Sequence, residues 1–168
     1  MNIKWLLYFI LFGVMMLAAA PGALGDDVLR GTLDGEERQW HVLATHGQST
    51  SYFREDFGYV EVTLQGHAEA RFATKGALSI SMLAMNGQLP VEAEVMYFPE
   101  ATLLPNYNSD GQEGQLELER FAVEGDQLRI TGRYQGTLRY VESIRPQGES
   151  SRHMTVDVRF DLLVPREE

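Results

Sequence analysis

The residues whose types and spacing come nearest to a chemical site lie between Asn106 and Glu117. The run reads Asn106-Tyr107-Asn108-Ser109-Asp110-Gly111, and Glu117 follows six residues after the glycine. Oxygen donors at alternate positions of a tight loop can be aimed at one point. Hard Ca²⁺ accepts about six to eight such oxygens. In this spacing Asn106, Asn108, Asp110 and Glu117 would offer side-chain oxygens and Gln112 a backbone carbonyl. Calcium is therefore the one cofactor that the residues suggest.

The spacing resembles that of an EF-hand calcium loop. It departs from that pattern at its first position, which is Asn106 rather than Asp, and no helical periodicity flanks it. Asn, Ser, Asp and Gly are also what an ordinary exposed turn uses. A second constellation is aromatic: Tyr52, Phe53, Phe57 and Tyr59, then Tyr97, Phe98 and Tyr107. Exposed, Tyr52, Phe53, Phe57 and Tyr107 would stack on sugar rings or grip an apolar ligand. Buried, they would close the ends of a core. A third is carboxylate: Glu92 with Glu94 and Glu117 with Glu119, each pair on one face of a strand. Two carboxylates can act as acid and base in glycoside cleavage, but on solvent-facing strand positions they are more often the wet face. His41, His46, His67 and His153 lack the His-Glu-x-x-His spacing of a zinc helix, so they read as surface or singly hydrogen-bonded residues. There is no Gly-x-Ser-x-Gly elbow and no phosphate-cradling glycine loop. The expectation is a protein that is not an enzyme.

The elements that must position these residues are strands. Residues 127–141 place Leu128, Ile130, Gly132, Tyr134, Gly136, Leu138 and Tyr140 on one side and Arg129, Thr131, Arg133, Gln135, Thr137 and Arg139 on the other. A period of two sustained that long is a strand with one buried face. Residues 154–164 repeat it. Shorter runs at 28–33, 38–44, 59–66, 77–85, 89–98 and 115–123 follow the same rule. Asp34-Gly35, Asn86-Gly87 and Gly125-Asp126 stand between paired runs, as tight hairpins require. Gly132 and Gly136 on the apolar face would make room for a large neighbour such as Trp40 or mark bulges. The fold class expected is all-β: one antiparallel β-sandwich or small β-barrel of about eight strands. Antiparallel succession would gather the long connections 67–76, 99–114 and 142–153 at one end, where a rigid scaffold can present them as a binding face.

Residues 1–25 have the layout of a secretory leader. A basic start ends at Lys4, an apolar run follows, and Ala23 and Gly25 supply the small side chains that signal peptidase needs. Cleavage is expected before Asp26, leaving residues 26–168 as one domain with no integral membrane span. The apolar run is shorter than the ~20 residues of a spanning helix. The 168-residue chain contains no cysteine and no Asn-X-Ser/Thr site, which fits a bacterial periplasmic or secreted protein. Its net charge of −10 disfavours nucleic acid and anionic lipid surfaces. The function expected is a non-catalytic binding or envelope-associated domain whose partner is an envelope protein, a glycan or an apolar small molecule. The alternatives are a small outer-membrane β-barrel, on the strength of the one-sided stripe at 127–141, and a carboxylate-dependent secreted hydrolase.

Overall fold

The computed structural model describes residues 28–45, 48–144 and 150–167. The leader expected at 1–25, its cleavage point, His46 and part of the 142–153 connection lie outside those residues.

All regular structure among them is β. The strands are β1 (Val28–Leu33), β2 (Glu36–Trp40), β3 (Ala44–Thr45), β4 (Gln48–Ser49), β5 (Tyr52–Asp56), β6 (Tyr59–Gly66), β7 (Leu78–Met85), β8 (Ala93–Tyr97), β9 (Asn106–Asn108), β10 (Gly114–Glu124), β11 (Gln127–Val141) and β12 (His153–Pro165). Ten of them form one antiparallel sheet in the order β2-β1-β12-β11-β9-β8-β7-β6-β5, with β10 also on β11, while β3 and β4 make a separate small hairpin. The sheet curls into a half-barrel. Single bridges between His41 and His67 and between Phe53 and Arg166 bring its margins together. Two stacked sheets are not formed. No helix among the described residues is long and apolar enough to cross a membrane.

Alternation explains the curl. Leu128, Ile130, Tyr134 and Leu138 of β11 and Val156, Val158, Phe160, Leu162 and Val164 of β12 all point inward and are buried. They join Leu29, Trp40, Phe53, Leu64, Ile80 and Val95 in one apolar cluster. Fully burying a side chain of this size contributes about 1.5–3 kcal/mol, so one continuous inner face outweighs any local preference. The outer face is polar: Arg133 pairs with Asp157 at 2.5 Å, and Arg129 pairs with Asp161.

Several expected boundaries shift. The run 89–98 is a strand only from Ala93, because Pro90 has no N–H with which to continue the ladder. The run 38–44 ends as a strand at Trp40; after the His41 bridge the chain leaves for the small hairpin. β5 and β9 arise within segments read as loops. Trp40 packs on Gly66, not on Gly132 or Gly136: a Cβ at Gly66 would lie 2.4 Å from Trp40 Cβ, whereas one at Gly132 would meet Phe160. Gly132 does stand at a bulge, since the register with β10 slips between Leu118 and Arg120. The connections that follow Gly66, Tyr97 and Val141 start from one end, but residues 109–113 of the expected 99–114 loop emerge partway along β11, between β9 and β10. Register aligns Gly66, Leu78, Tyr97, Tyr107 and Tyr140 in a row, and the chain leaves the sheet beyond it.

Candidate binding cleft

β9 and β10 lie in line along the same edge of β11, pairing with Arg139–Val141 and Gln127–Gly136 respectively. Residues 109–113 swing out between them. Up to this point β8 accompanies β9: Ser109 N donates to Val95 O at 3.0 Å and Val95 N to Ser109 Oγ at 2.8 Å. Beyond it β8 and β10 separate. Among the described residues β10 pairs with β11 alone, so its other edge is open. Residues 89–92 are no strand, so the end of β7 has only the single Met85–Gln88 bridge on the facing side.

The gap is a cleft of about 820 Å³. Its floor includes Met82, Ala93, Leu116 and Tyr134, and its rim carries Glu61, Glu92, Glu94 and Asp110 with no basic residue. Burial pushes the Tyr134 phenol above its ordinary pKa, against a smaller opposing effect of its hydrogen bond with Ser109. Tyr134 is thus a neutral hydrogen-bonding group at the cleft floor. Gly114 makes room for it, since a Cβ there would stand 2.2 Å from the phenol oxygen.

Beyond the lining residues Tyr59 and Leu83, the surface at the ends of β6 and β7 is apolar. The two-residue turn between β5 and β6 is Phe57-Gly58, with φ of 37° and 89°. Asn86 N donates to Gly58 O at 2.8 Å and ties this turn to the end of β7. Phe57 is 99% exposed, and Leu83, Met85, Leu89 and Val91 from β7 and its connection to β8 are exposed as well. Asn or Asp before Gly is the low-strain choice for a turn with two positive φ values. A phenylalanine held there, in full contact with water, is an outlier of the kind that points to a function.

The residues singled out by sequence are dispersed. Phe53 is fully buried, with the Arg166 guanidinium 4.8 Å from its ring centre. Tyr107 is buried edge-on to Tyr140 at 5.2 Å and accepts a hydrogen bond from Arg152 at 3.2 Å. Tyr52 is half-buried on β5. Of the four aromatic candidates only Phe57 is open, and it does not line the cleft but precedes the lining residue Tyr59 by two positions. The calcium spacing is divided. Asn106 and Asn108 belong to β9, Asp110 and Gln112 to the excursion, and Glu117 to β10. Asn108 pairs with Arg139 and Glu117 with Arg133, which is six residues or ~20 Å of strand apart. The five residues do not converge, and no group of three His, Asp or Glu among the described residues is placed to hold a metal. Asp110 instead lies 3.9 Å from Arg139.

The carboxylate pairs also separate. Glu92 and Glu94 line the cleft, while Glu117 bonds Gln115 on β10 and Glu119 is the extra residue at the bulge. His67 is 3% exposed with Nδ1 2.8 Å from Ala73 O and Nε2 unpartnered, and its backbone exchanges two hydrogen bonds with His41. Among the described residues of the three expected loops, only those of 99–114 reach the cleft, through Ser109–Gln112.

No known protein family, curated protein or solved structure matches the chain.

Proposed function

We propose that this protein is a non-catalytic, exported binding domain that receives an extended segment of another chain in the cleft between β8 and β10. Export rests on the leader-like residues 1–25. The binding reading rests above all on the open edge of β10 along the cleft, and Phe57 adds a fully exposed aromatic in a strained turn two residues before the cleft-lining Tyr59. An unpaired edge offers backbone hydrogen bonds to an added strand, and alternate side chains then supply specificity. The floor suits apolar residues. On the rim, Glu61 pairs with Arg54 and Asp110 lies 3.9 Å from Arg139, whereas Glu92 and Glu94 make no ion pair among the described residues and suit lysine or arginine. The inward direction of the apolar stripe on β11 supports this reading over a membrane-spanning barrel, whose apolar residues face outward.

Two synthetic decapeptides test it, one alternating Val with Lys and the other Val with Glu. The Val-Lys peptide is expected to bind and the Val-Glu peptide not to bind. Glu92→Gln with Glu94→Gln should weaken binding by roughly two- to five-fold for each charge removed. Phe57→Asn should weaken it too, while raising the urea midpoint, because Asn tolerates positive φ. Equal affinity for both peptides, or Phe57→Asn leaving binding unchanged, would refute the proposal.

A further inference from the structure

The outer face of the sheet carries a charge pattern opposite to that of the whole chain. Register places Gln39 of β2, Arg30 of β1, Arg159 of β12, Arg133 of β11 and Glu117 of β10 in one row across the strands. Three consecutive members of this row are arginines. Neighbouring strands are ~4.8 Å apart, so the three stems arise within about 10 Å. Like charges directly opposite on neighbouring strands destabilise a sheet, so this is a costly arrangement unless something offsets it.

Arg133 is already engaged. Its Nε and Nη2 donate to Asp157 Oδ1 and Oδ2 at 2.7 and 2.5 Å. Arg30 and Arg159 are exposed and make no ion pair among the described residues, although Asp157 feels Arg159 at longer range. The row lines an open groove of about 620 Å³ in which Arg38 is a fourth arginine. Two of the four arginines there are paired, Arg133 with Asp157 and Arg38 with Glu36 at 2.6 Å, which leaves Arg30 and Arg159 without an ion pair among the described residues in a chain whose net charge is −10.

We propose that Arg30 and Arg159 form a binding site for a tetrahedral oxyanion carried as an ester, with Arg38 and Gln39 at its margin. A carboxylate has two oxygens and is satisfied by one planar guanidinium fork, as Asp157 is by Arg133. A phosphate or sulfate monoester has three free oxygens and can accept from two separate forks at once. It also offsets the repulsion between Arg30 and Arg159, so binding relieves the unfavourable juxtaposition that the register imposes. The site lies on a different part of the sheet from the cleft and does not depend on what fills the cleft.

The test is thermal unfolding of the protein in inorganic phosphate or sulfate against sodium chloride at matched ionic strength. A ligand that binds only the native state must raise Tm. A rise of roughly 3 °C or more is expected at saturating oxyanion for a chain of this size. A larger response to phosphate identifies a phosphomonoester site and a larger response to sulfate a sulfate-ester site. Because both ions also stabilise proteins by exclusion from the surface, either result supports the proposal only where the row variants lose it. Arg159→Gln and, separately, Arg30→Gln should abolish the response, yet each should keep or raise Tm in chloride because the repulsion is gone. Arg71→Gln, outside the lining of the groove, should respond like the parent. No rise beyond that in chloride, or an equal rise in the two row variants, overturns the site.

Discussion

At the scale of single residues, the outer face of the sheet is organised by Asp157. Its carboxyl is held below the ordinary carboxylate pKa, chiefly by the hydrogen bonds from Arg133 and against the opposing effect of burial. A depressed pKa means that the folded form holds the charged carboxylate more firmly than the unfolded chain does. The resulting stability is present above the unfolded value, near about 3.9, and is lost as pH falls through the folded value. Arg133→Gln removes the partner and leaves the strand intact. Its deficit in Tm relative to the parent should be greatest at about pH 6–7 and should shrink below about pH 4. A melt series across that range checks this, and a deficit constant with pH would show that Arg133 acts through packing alone. The effect will be small, because the pair is about one-third exposed and solvent screens it.

At the scale of elements, β10 differs from its neighbour β11. Alternate amides of a strand point to opposite edges. Along β11 from Leu128 to Gly136 both edges are paired, one to β10 and one to β12. Along β10 only the edge toward β11 is paired. Hydrogen exchange should therefore alternate fast and slow through residues 114–124 and be uniformly slow in the centre of β11. The Val-Lys peptide should slow the fast set, whereas uniform protection of β10 without peptide would mean that its edge is already covered. The same elements show why some of the fold was legible in the sequence and some was not. β6, β7, β10, β11 and β12 advertise themselves because a half-buried strand must alternate, and hairpins at Asp34-Gly35 and Gly125-Asp126 follow from the turn residues. β5 was hidden because Arg54-Glu55-Asp56 breaks the alternation and Phe57 occupies the place where a type I′ turn usually shows Asn or Asp. The three residues of β9 carry no periodicity, and their oxygens imitate an ion site. The cleft exists only because β9 and β10 share one edge of β11 and β8 stops following. That is a matter of strand order, which no local pattern encodes. The arginine row is half legible: each arginine sits at an outward position of its own strand, but only register sets Arg30, Arg159 and Arg133 side by side.

At the scale of the molecule, a curled sheet must hold its two margins together, and here few backbone bonds do so. At one seam His41 and His67 exchange backbone hydrogen bonds at 2.8 and 2.9 Å, and Trp40 Nε1 donates to Gly76 O at 2.9 Å. At the other, just past β12, Arg166 acts as a clasp. Its guanidinium lies over the Phe53 ring of β5, pairs with Glu55 at 3.0 Å and donates to Gly125 O at 3.1 Å in the turn between β10 and β11. One side chain thus ties β5 at one margin to the β10–β11 turn and the end of β12. The cation–π contact contributes about 0.5–1 kcal/mol, the exposed ion pair less than about 1, and the hydrogen bond to a carbonyl about 1. Arg166→Ala should therefore cost about 1–2 kcal/mol in urea unfolding. Arg166→Lys should recover only part of this, because an ammonium cannot reach the ring, the carboxylate and the carbonyl in one planar fork. The decisive reading is a double-mutant cycle with Phe53→Leu. Coupling above about 0.5 kcal/mol shows that the clasp acts across the seam. Simple additivity would mean that the ring contact carries no coupling across the seam and that Arg166 acts through Glu55 and Gly125 O instead.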